Sequence, residues 1–450
     1  MKRLAAVVGL SILTLGAASW GQAPTPKGDQ FQVNTYTTSN QGNPSVAVDP
    51  LGNFVVVWQS TGSFGNDSLS NSIQAQRYDA NGAPAGDQFQ VNTYTTYSQD
   101  TADIAMDGQG NFVVVWESSG SAGSDTSDES ILGQRFASDG TPVGAEFQIN
   151  TYTTDEQSKP VVAMDSLGNF VVVWESYGSN GTDSDYNSIQ GQLFDSDGDP
   201  VGGEFQVNTV TSSRQEDVAV TADGQGNFIV VWESQFVDIK GQIYDDSGAA
   251  VGGEFRVDSS GYGNRPAVAA DSTGNFTVAW QAEDVGGADM SRTSIEAQLF
   301  DSSGNTVGGQ FQVNTYTTEW QEDSTIAMDP QGNIIIVWES DGSSGTDTEQ
   351  YSLQAQYFDS SGTAVGGEFQ VNTYTYGDQM NAVVDMDGQG NFVVVWNSST
   401  SPTDFSSRSV HGRRYSAGAE VVFSDGFESG DTTLWSTTTP LEGRSSGGSA

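Results

Sequence analysis

The chain has 450 residues, and its 58 Asp and Glu against 15 Lys and Arg give a formal charge of -43, with no Cys and a single His. Such a negative field repels nucleic acid and anionic lipid, so we expect neither as a partner. The composition also excludes disulfide stabilisation, thiol chemistry and His-rich zinc sites.

Residues 1–21 have the pattern of a secretory signal peptide. MKR is followed by an apolar run from Leu4 to Ala18 and by small residues near Gly21, which is the order that export machinery reads. The run is too short for a membrane span, and no later segment approaches the roughly 20 apolar residues that a span needs. We predict a signal peptide at 1–21, a linker at 22–27 and a product that is secreted or held at the cell surface.

A seven-residue phrase, GNFVVVW at 52–58, recurs along the chain with small changes, and self-similarity at a fixed period indicates a repeat architecture. Successive copies lie 58 residues apart, except for one spacing of 48. The Trp that ends each copy is a structural repeat position, occupied by Trp58, Trp116, Trp174, Trp232, Trp280, Trp338 and Trp396.

Each unit contains four short runs typical of strands. In the first unit they are SVAVD (45–49), FVVVW (54–58), SIQAQRYD (72–79) and QFQVNT (88–93), and Asp49 precedes a Gly-Asn pair that favours a capped hairpin. FVVVW is apolar throughout, as expected for a strand covered on both faces. The third run carries a small residue against which we expect the Trp to pack: Ala75, Gly133, Gly191, Gly241, Ala297, Ala355 and Gly412.

These units predict an all-β fold, a seven-bladed β-propeller of four-stranded antiparallel blades over residues 28–419. The seventh unit lacks a clean FQVNT, and the copy at Phe31–Thr35 precedes the first unit. We therefore expect the N-terminal strand to complete the last blade, with Glu420–Phe423 as the alternative. We expect a monomer.

The C-terminal stretch VVFSDGFESGDTTLWS (421–436) resembles the F-x-DGFESGD-x-x-x-WS signature at the ends of many exported bacterial proteins. The repeats resemble those of secreted bacterial β-propeller-type proteins of unassigned activity. The resemblance implies export, with sorting or processing at residues 420–450, whose Ser-, Thr- and Gly-rich end we expect to be disordered. It brings no active-site motif.

Residues suited to catalysis are few. We interpret His411, in the third run of the last unit, as a repeat substitution. A pair of carboxylates suffices for glycoside hydrolysis, and a Glu follows the repeat Trp at Glu117, Glu175, Glu233 and Glu339. Because these recur with the repeat, we interpret them as solvated strand ends and predict no catalytic residue and no enzymatic activity.

One segment is a hypothetical metal site. FDSDGDPVGGE (194–204) places Asp195, Asp197 and Asp199 at alternate positions, which suits calcium as a cofactor, although the spacing is not that of an EF-hand loop. The repeated Asp of the hairpins fits a turn cap better.

The long loops between second and third strands share one face with the blade-to-blade links. Those links carry the candidate ligand-binding residues Tyr36, Tyr94, Tyr152, Tyr316 and Tyr374. We expect an exported, non-enzymatic scaffold for binding or adhesion, with an extracellular polysaccharide or protein as partner. The alternatives are a structural surface or matrix protein, and a carboxylate-dependent glycoside-active enzyme, which needs two converging acids at the axis.

Overall fold

The computed structural model describes residues 23–417, except 63–64, 68–69, 121–122, 126–127, 180, 184–185, 236–237, 260, 284–291, 344, 349 and 400–407. In this part of the chain every regular element is a β-strand. The predicted signal peptide and the C-terminal signature, with Glu420–Phe423, lie outside the described residues. None of the described residues form a helix long and apolar enough to cross a bilayer.

Seven sheets, each an antiparallel blade, follow one another along the chain. The innermost strands are β3 (Gln41–Val48), β7 (Gln99–Met106), β11 (Gln157–Met164), β15 (Gln215–Ala222), β19 (Gly263–Ala270), β23 (Gln321–Met328) and β27 (Gln379–Met386). The second strands are β4 (Phe54–Thr61), β8 (Phe112–Ser119), β12 (Phe170–Tyr177), β16 (Phe228–Ser234), β20 (Phe276–Glu283), β24 (Ile334–Asp341) and β28 (Phe392–Ser398).

The two outer strands complete each blade. The third strands are β5 (Asn71–Tyr78), β9 (Glu129–Phe136), β13 (Asn187–Phe194), β17 (Asp238–Tyr244), β21 (Thr293–Phe300), β25 (Tyr351–Phe358) and β29 (Ser409–Ser416). The fourth strands of blades 1 to 6 are β6 (Phe89–Gln90), β10 (Pro142–Gln148), β14 (Pro200–Gln206), β18 (Ala250–Arg256), β22 (Thr306–Gln312) and β26 (Phe369–Gln370).

The N-terminal segment closes the ring, as predicted. Strand β2 (Phe31–Gln32) pairs with β29, and β1 (Thr25–Pro26), inside the predicted linker, pairs with the other end of the same strand. Seven buried apolar clusters each draw side chains from two neighbouring blades, and one of them joins Val33 and Trp58 to Val410 of blade 7. Because there are as many clusters as blades, the predicted seven-bladed β-propeller is confirmed.

The repeated phrase builds the centre of each blade. The Trp side chains are fully buried, and in six blades the indole Nε1 donates to a Gln side chain at the start of the innermost strand, as Trp58 does to Gln41 at 3.1 Å. The hairpin before it is capped as expected, since Asp49 Oδ1 accepts from the N–H of Leu51 and of Asn53.

The expected packing of the Trp against the small residue of the third strand is wrong. Gly191 and Gly412 lie against the rings of Phe205 and Phe31, which belong to the outermost strands, and a Cβ at either glycine would come within 3 Å of the ring. The small residue therefore makes room for the Phe of FQVNT. This is a contact within one blade, between its third and fourth strands.

Candidate active site

On one face of the propeller, seven residues with a left-handed backbone conformation form a ring around the axis, which we call the bulge ring. Near its start each innermost strand has a β-bulge, so that in blade 1 residues 43–44 face the single residue Trp58. The first residue of each bulge has φ between 48° and 53°. These seven are Asn43, Thr101, Lys159, Asp217, Arg265, Asp323 and Asn381. Non-glycine residues rarely adopt this conformation, and such strain concentrates at functional sites.

The bulge position breaks the symmetry of the repeat. In blades 3 to 6 it carries alternating charges, and we call Lys159, Asp217, Arg265 and Asp323 the charged arc. Lys159 Nζ lies 3.1 Å from Asp217 Oδ1, and Arg265 Nη1 forms an ion pair with Asp323 Oδ1. The remaining three blades carry neutral residues, where Asn381 donates to Asn43 at 2.7 Å.

The charged arc lines an open cavity on the axis. Its volume is about 390 Å³, and Thr101, Pro160, Pro266 and Ser324 also contribute to its wall. Because each arc residue comes from a different blade, several separate parts of the chain meet at one point. Within the described residues, this cavity is where side chains that differ between repeats converge.

The glutamates that follow the repeat Trp lie against this ring. Glu175 and Glu339 are buried, and each accepts a hydrogen bond from the bulge N–H of the next blade, at 2.9 Å from Asp217 and 2.6 Å from Asn381. Glu233 is buried as well. The interpretation of these residues as solvated strand ends is wrong for these three, because all three side chains are buried.

Burial changes the protonation of these glutamates. It raises the pKa of Glu339 to about 8, and the negative charge of Asp323 adds to that effect. Burial likewise raises the pKa of Glu233 to about 7, with Asp217 adding to it, and that of Glu117 to about 7. For Glu175 burial also raises the pKa, but Lys159 Nζ at 3.0 Å opposes that rise. With these pKa values Glu339 keeps its proton near neutral pH, while Glu233 and Glu117 are partly protonated there.

Two more carboxylates lie on the innermost strands of other blades. Asp103 accepts from Ser45 Oγ at 2.7 Å and from the N–H of Val162, and Asp385 accepts from the N–H of Val48 at 2.7 Å. Each thereby caps an N–H of a neighbouring innermost strand. Burial raises the pKa of both groups, that of Asp385 to about 7.

The candidate tyrosines lie on the same face as the cavity, in the links between blades. All five are half-buried: Tyr36, Tyr94, Tyr152, Tyr316 and Tyr374. The hydroxyls of Tyr36 and Tyr152 lie close to Gly62 and Gly178, beyond the second strands of their own blades. The hydroxyls of Tyr94 and Tyr316 lie in the same way near Gly120 and Gly342. Binding at the five positions stays a prediction.

The aspartates of the hypothetical calcium site form a turn on the opposite face. Asp195 Oδ1 accepts from the N–H of Asp197 at 3.0 Å and of Asp199 at 2.9 Å, which is the same cap that the inner hairpins use. Across the described ranges, no three acidic or His side chains are grouped as a metal would need. Calcium binding stays a prediction.

His411 is an internal structural residue. It is buried in β29, where Nδ1 lies 3.1 Å from Gln30 Nε2 and Nε2 lies 3.0 Å from Ser409 Oγ. Gln30 adjoins the closing strand. The single imidazole of the chain therefore lies within the blade that closes the ring, in agreement with its interpretation as a repeat substitution.

This chain resembles proteins of known structure in its fold alone. No protein-family model and no curated protein matches the chain. A solved structure of a protein of unknown function from Dyadobacter fermentans matches 86% of this chain and 98% of its own at 9% identity, with a TM-score of 0.50. A fungal alcohol oxidase of the AA5 family in complex with copper matches 87% of this chain and 77% of its own at 13% identity, with a TM-score of 0.51. An α-L-arabinanase of Penicillium chrysogenum matches 87% of this chain and 98% of its own at 13% identity, with a TM-score of 0.44.

The expectation of a non-enzymatic scaffold was wrong, because enzymes occur among the proteins with this fold. The recurrence of the Glu residues argues against catalysis only if all blades are alike, yet the first bulge residue changes between Asn, Thr, Lys, Asp and Arg while the strands around it stay the same. Repetition of the strands is therefore compatible with a unique site at the axis.

Proposed function

We propose that the protein is a carboxylate-dependent glycoside-active enzyme whose active site is the axial cavity. The charged arc in the cavity wall, together with Glu233 and Glu339 buried on the second strands of blades 4 and 6, is the observation that carries this function. Glycoside hydrolysis needs one carboxyl group that gives a proton and a second, ionised one that acts as base or nucleophile. Two carboxyl groups can divide these roles when their surroundings give them different pKa values.

The roles follow from the surroundings of each group. Glu339 and Glu233, with pKa values raised to about 8 and about 7, are the candidate general acids. Asp323 and Asp217 are only partly buried and form ion pairs with Arg265 and Lys159, so they are the candidate bases or nucleophiles. Each of blades 4 and 6 thus supplies one acid and one base.

Other reaction classes have less support. The chain has no Cys, and its single His is held inside blade 7 by Gln30 and Ser409, so a nucleophile activated by imidazole lacks its base. The copper named for the fungal oxidase does not fit this cavity, since the lining offers no imidazole or thiolate. The donors around the cavity are carboxylates, amides, hydroxyls and two cations, which suit a substrate rich in hydroxyl groups.

The test is a screen of the purified protein against aryl glycosides and soluble polysaccharides, with release of nitrophenol or reducing ends as the readout. We expect turnover of at least one substrate, and a loss of kcat of at least 100-fold in Glu339→Gln or Glu233→Gln. Asp197→Asn, on the exposed turn of the opposite face, is the control and should keep the wild-type rate. Full activity in both Gln variants would refute the assignment.

We propose further that the enzyme acts outside the cytoplasm on an extracellular polysaccharide. The basic start, apolar run and small-residue exit of residues 1–21 support export. Expressed with its own N-terminus, the protein should be recovered outside the cytoplasm with a new N-terminus near Gln22. Recovery of the whole chain inside the cells would contradict this.

A further inference from the structure

Exposed aromatic side chains gather on the cavity face. Five tyrosines of the described residues are largely exposed, and chain direction places all of them beside the mouth of the ring: Tyr97, Tyr177, Tyr186, Tyr262 and Tyr376. On the opposite face the large exposed apolar side chains of the inner turns are Leu51 and Leu167. An exposed aromatic surface beside a polar cavity is a feature of ligand-binding faces.

Two of these tyrosines lie at the two ends of one loop of blade 3, and we call them the Tyr pair. Tyr177 ends β12, Tyr186 directly precedes β13, and the N–H of Gly178 donates to the Tyr186 carbonyl at 3.1 Å. Each is 50% exposed. At the position of Tyr177 the other units carry Thr, Ser, Gln, Glu or Asp, and at that of Tyr186 they carry Ser, Asp, Val, Arg or Gln. The fold therefore requires an aromatic residue at neither position.

The backbone of Tyr186 supports a role beyond folding. Its φ is 65°, a left-handed conformation that is unfavourable for a bulky side chain. The corresponding Gln350 of blade 6 has the same conformation, so the loop geometry imposes it and the choice of Tyr is separate. An exposed aromatic side chain on a strained backbone does not stabilise the folded protein, so stability does not explain the Tyr at position 186.

Polar contacts connect the pair to the charged arc. The Glu175 carboxylate accepts from Lys159 Nζ at 3.0 Å and from Asn187 Nδ2 at 3.0 Å, and Asn187 is the cross-strand partner of Tyr177. Glu175 and Tyr177 are two residues apart on one strand, so both point toward blade 4. A continuous row of side chains leads from the axial cavity outward over blade 3.

Blade 4 has the shortest connection between its second and third strands. Only residues 235–237 join these strands, whereas 178–186 join those of blade 3. The side of blade 3 that carries Glu175 and Tyr177 therefore faces the blade with the shortest connection. Tyrosine rings stack on the apolar faces of sugars, and neighbouring amide and carboxylate groups bind their hydroxyls.

We propose that Tyr177 and Tyr186 form a glycan-binding subsite, over which a polysaccharide chain runs from the axial cavity outward across blade 3. The substrate class is then a polymer longer than the unit that is cleaved. This subsite rests on the proposed function for its role in turnover. Its affinity for glycan is measurable without any turnover.

The test compares variants in two assays. Affinity electrophoresis in gels that contain arabinan, xylan, laminarin or carboxymethyl cellulose measures binding, in wild-type and Glu339→Gln backgrounds. Tyr177→Ala with Tyr186→Ala should weaken binding to the retained polysaccharide about tenfold, and Tyr177→Phe should keep it within about twofold. On the polymer that is cleaved, KM should rise about tenfold with kcat unchanged, and on an aryl monoglycoside neither should change.

Two matched controls complete the experiment. Tyr376→Ala removes a tyrosine of 66% exposure on blade 7, and Leu167→Ala removes an exposed apolar residue on the opposite face of blade 3. Both should bind as wild type. Retention by none of the four polysaccharides, or an equal loss in Tyr376→Ala, would overturn the subsite. Normal glycan binding through the Tyr pair without any turnover would support the subsite and refute the proposed function.

Discussion

Replacing Glu339 by Gln should make the protein more stable in alkaline solution. The side chain is 1% exposed, and burial with the nearby charge of Asp323 raises its pKa from 4.5 to about 8. In the unfolded chain the carboxyl loses its proton near pH 4.5, whereas in the folded protein it keeps it up to about pH 8. The unfolded state therefore binds fewer protons between these values, and stability falls as pH rises.

The size of the effect follows from the two pKa values. Each pH unit above 4.5 lowers the free energy of unfolding by about 1.4 kcal/mol, so the loss reaches roughly 5 kcal/mol by pH 8 and is constant above it. Gln has nearly the same shape and still accepts the Asn381 N–H, but it does not ionise. Glu339→Gln should match the wild type at pH 4.5 and exceed it by roughly 5 kcal/mol at pH 9.

Guanidinium unfolding at pH 5, 7 and 9, followed by the emission of the buried Trp side chains, measures this difference. Asp197→Asn is the control, and its stability should follow the wild type at every pH. If Glu339→Gln and the wild type lose stability in parallel from pH 5 to 9, Glu339 is not the group that retains its proton. The same variant should lack activity, so the site would gain stability as it loses function.

Two further predictions concern the arc and the closure of the ring. Lys159→Met leaves the buried Glu175 without its ion partner and should destabilise the protein by about 3 kcal/mol at pH 8 and by less at pH 5, because burial raises the pKa of Glu175. The double variant with Glu175→Gln should recover at pH 8, and equal losses at both pH values would contradict the role of the ion pair. Phe31→Ala should lower the free energy of unfolding by about 3 kcal/mol, as should Phe205→Ala at the same position of blade 3. A loss below about 0.5 kcal/mol for Phe31→Ala alone would show that the N-terminal strand does not hold the ring closed.

The sequence was sufficient for the blades, and it favoured the correct closing strand without excluding Glu420–Phe423. GNFVVVW and FQVNT recur at a fixed period, and the copy of FQVNT at Phe31 has no unit of its own, which favoured its place in the last blade. The packing partner of the small residue in the third strand did not follow. Both Trp and Phe are large and repeat in every unit, and strand register, which the spacing leaves open, decides which of them lies nearby.

The site was missed because its burial is nonlocal. Glu339 follows the repeat Trp near the end of β24 and therefore looks solvated in the sequence, but its carboxylate accepts the bulge N–H of Asn381 in the next blade. A signal for the bulge ring was present in the sequence. Two residues after the repeated Gln, the units carry Asn, Thr, Lys, Asp, Asp and Asn, with Arg at this position in the unit that has Gly instead of Gln. A position that varies in charge within a conserved strand pattern indicates where symmetry is broken.

Closure by the N-terminal strand also has a consequence for the order of folding. Gln30, beside that strand, contacts His411, 381 residues later in the chain. Strand β2 therefore stays unpaired until β29 has been synthesised, and the contact that completes the seventh blade joins residues 381 positions apart. Contacts of this kind form slowly. Until β29 pairs with β2, the propeller is an open stack of blades with one unpaired edge, and its axial cavity is not enclosed.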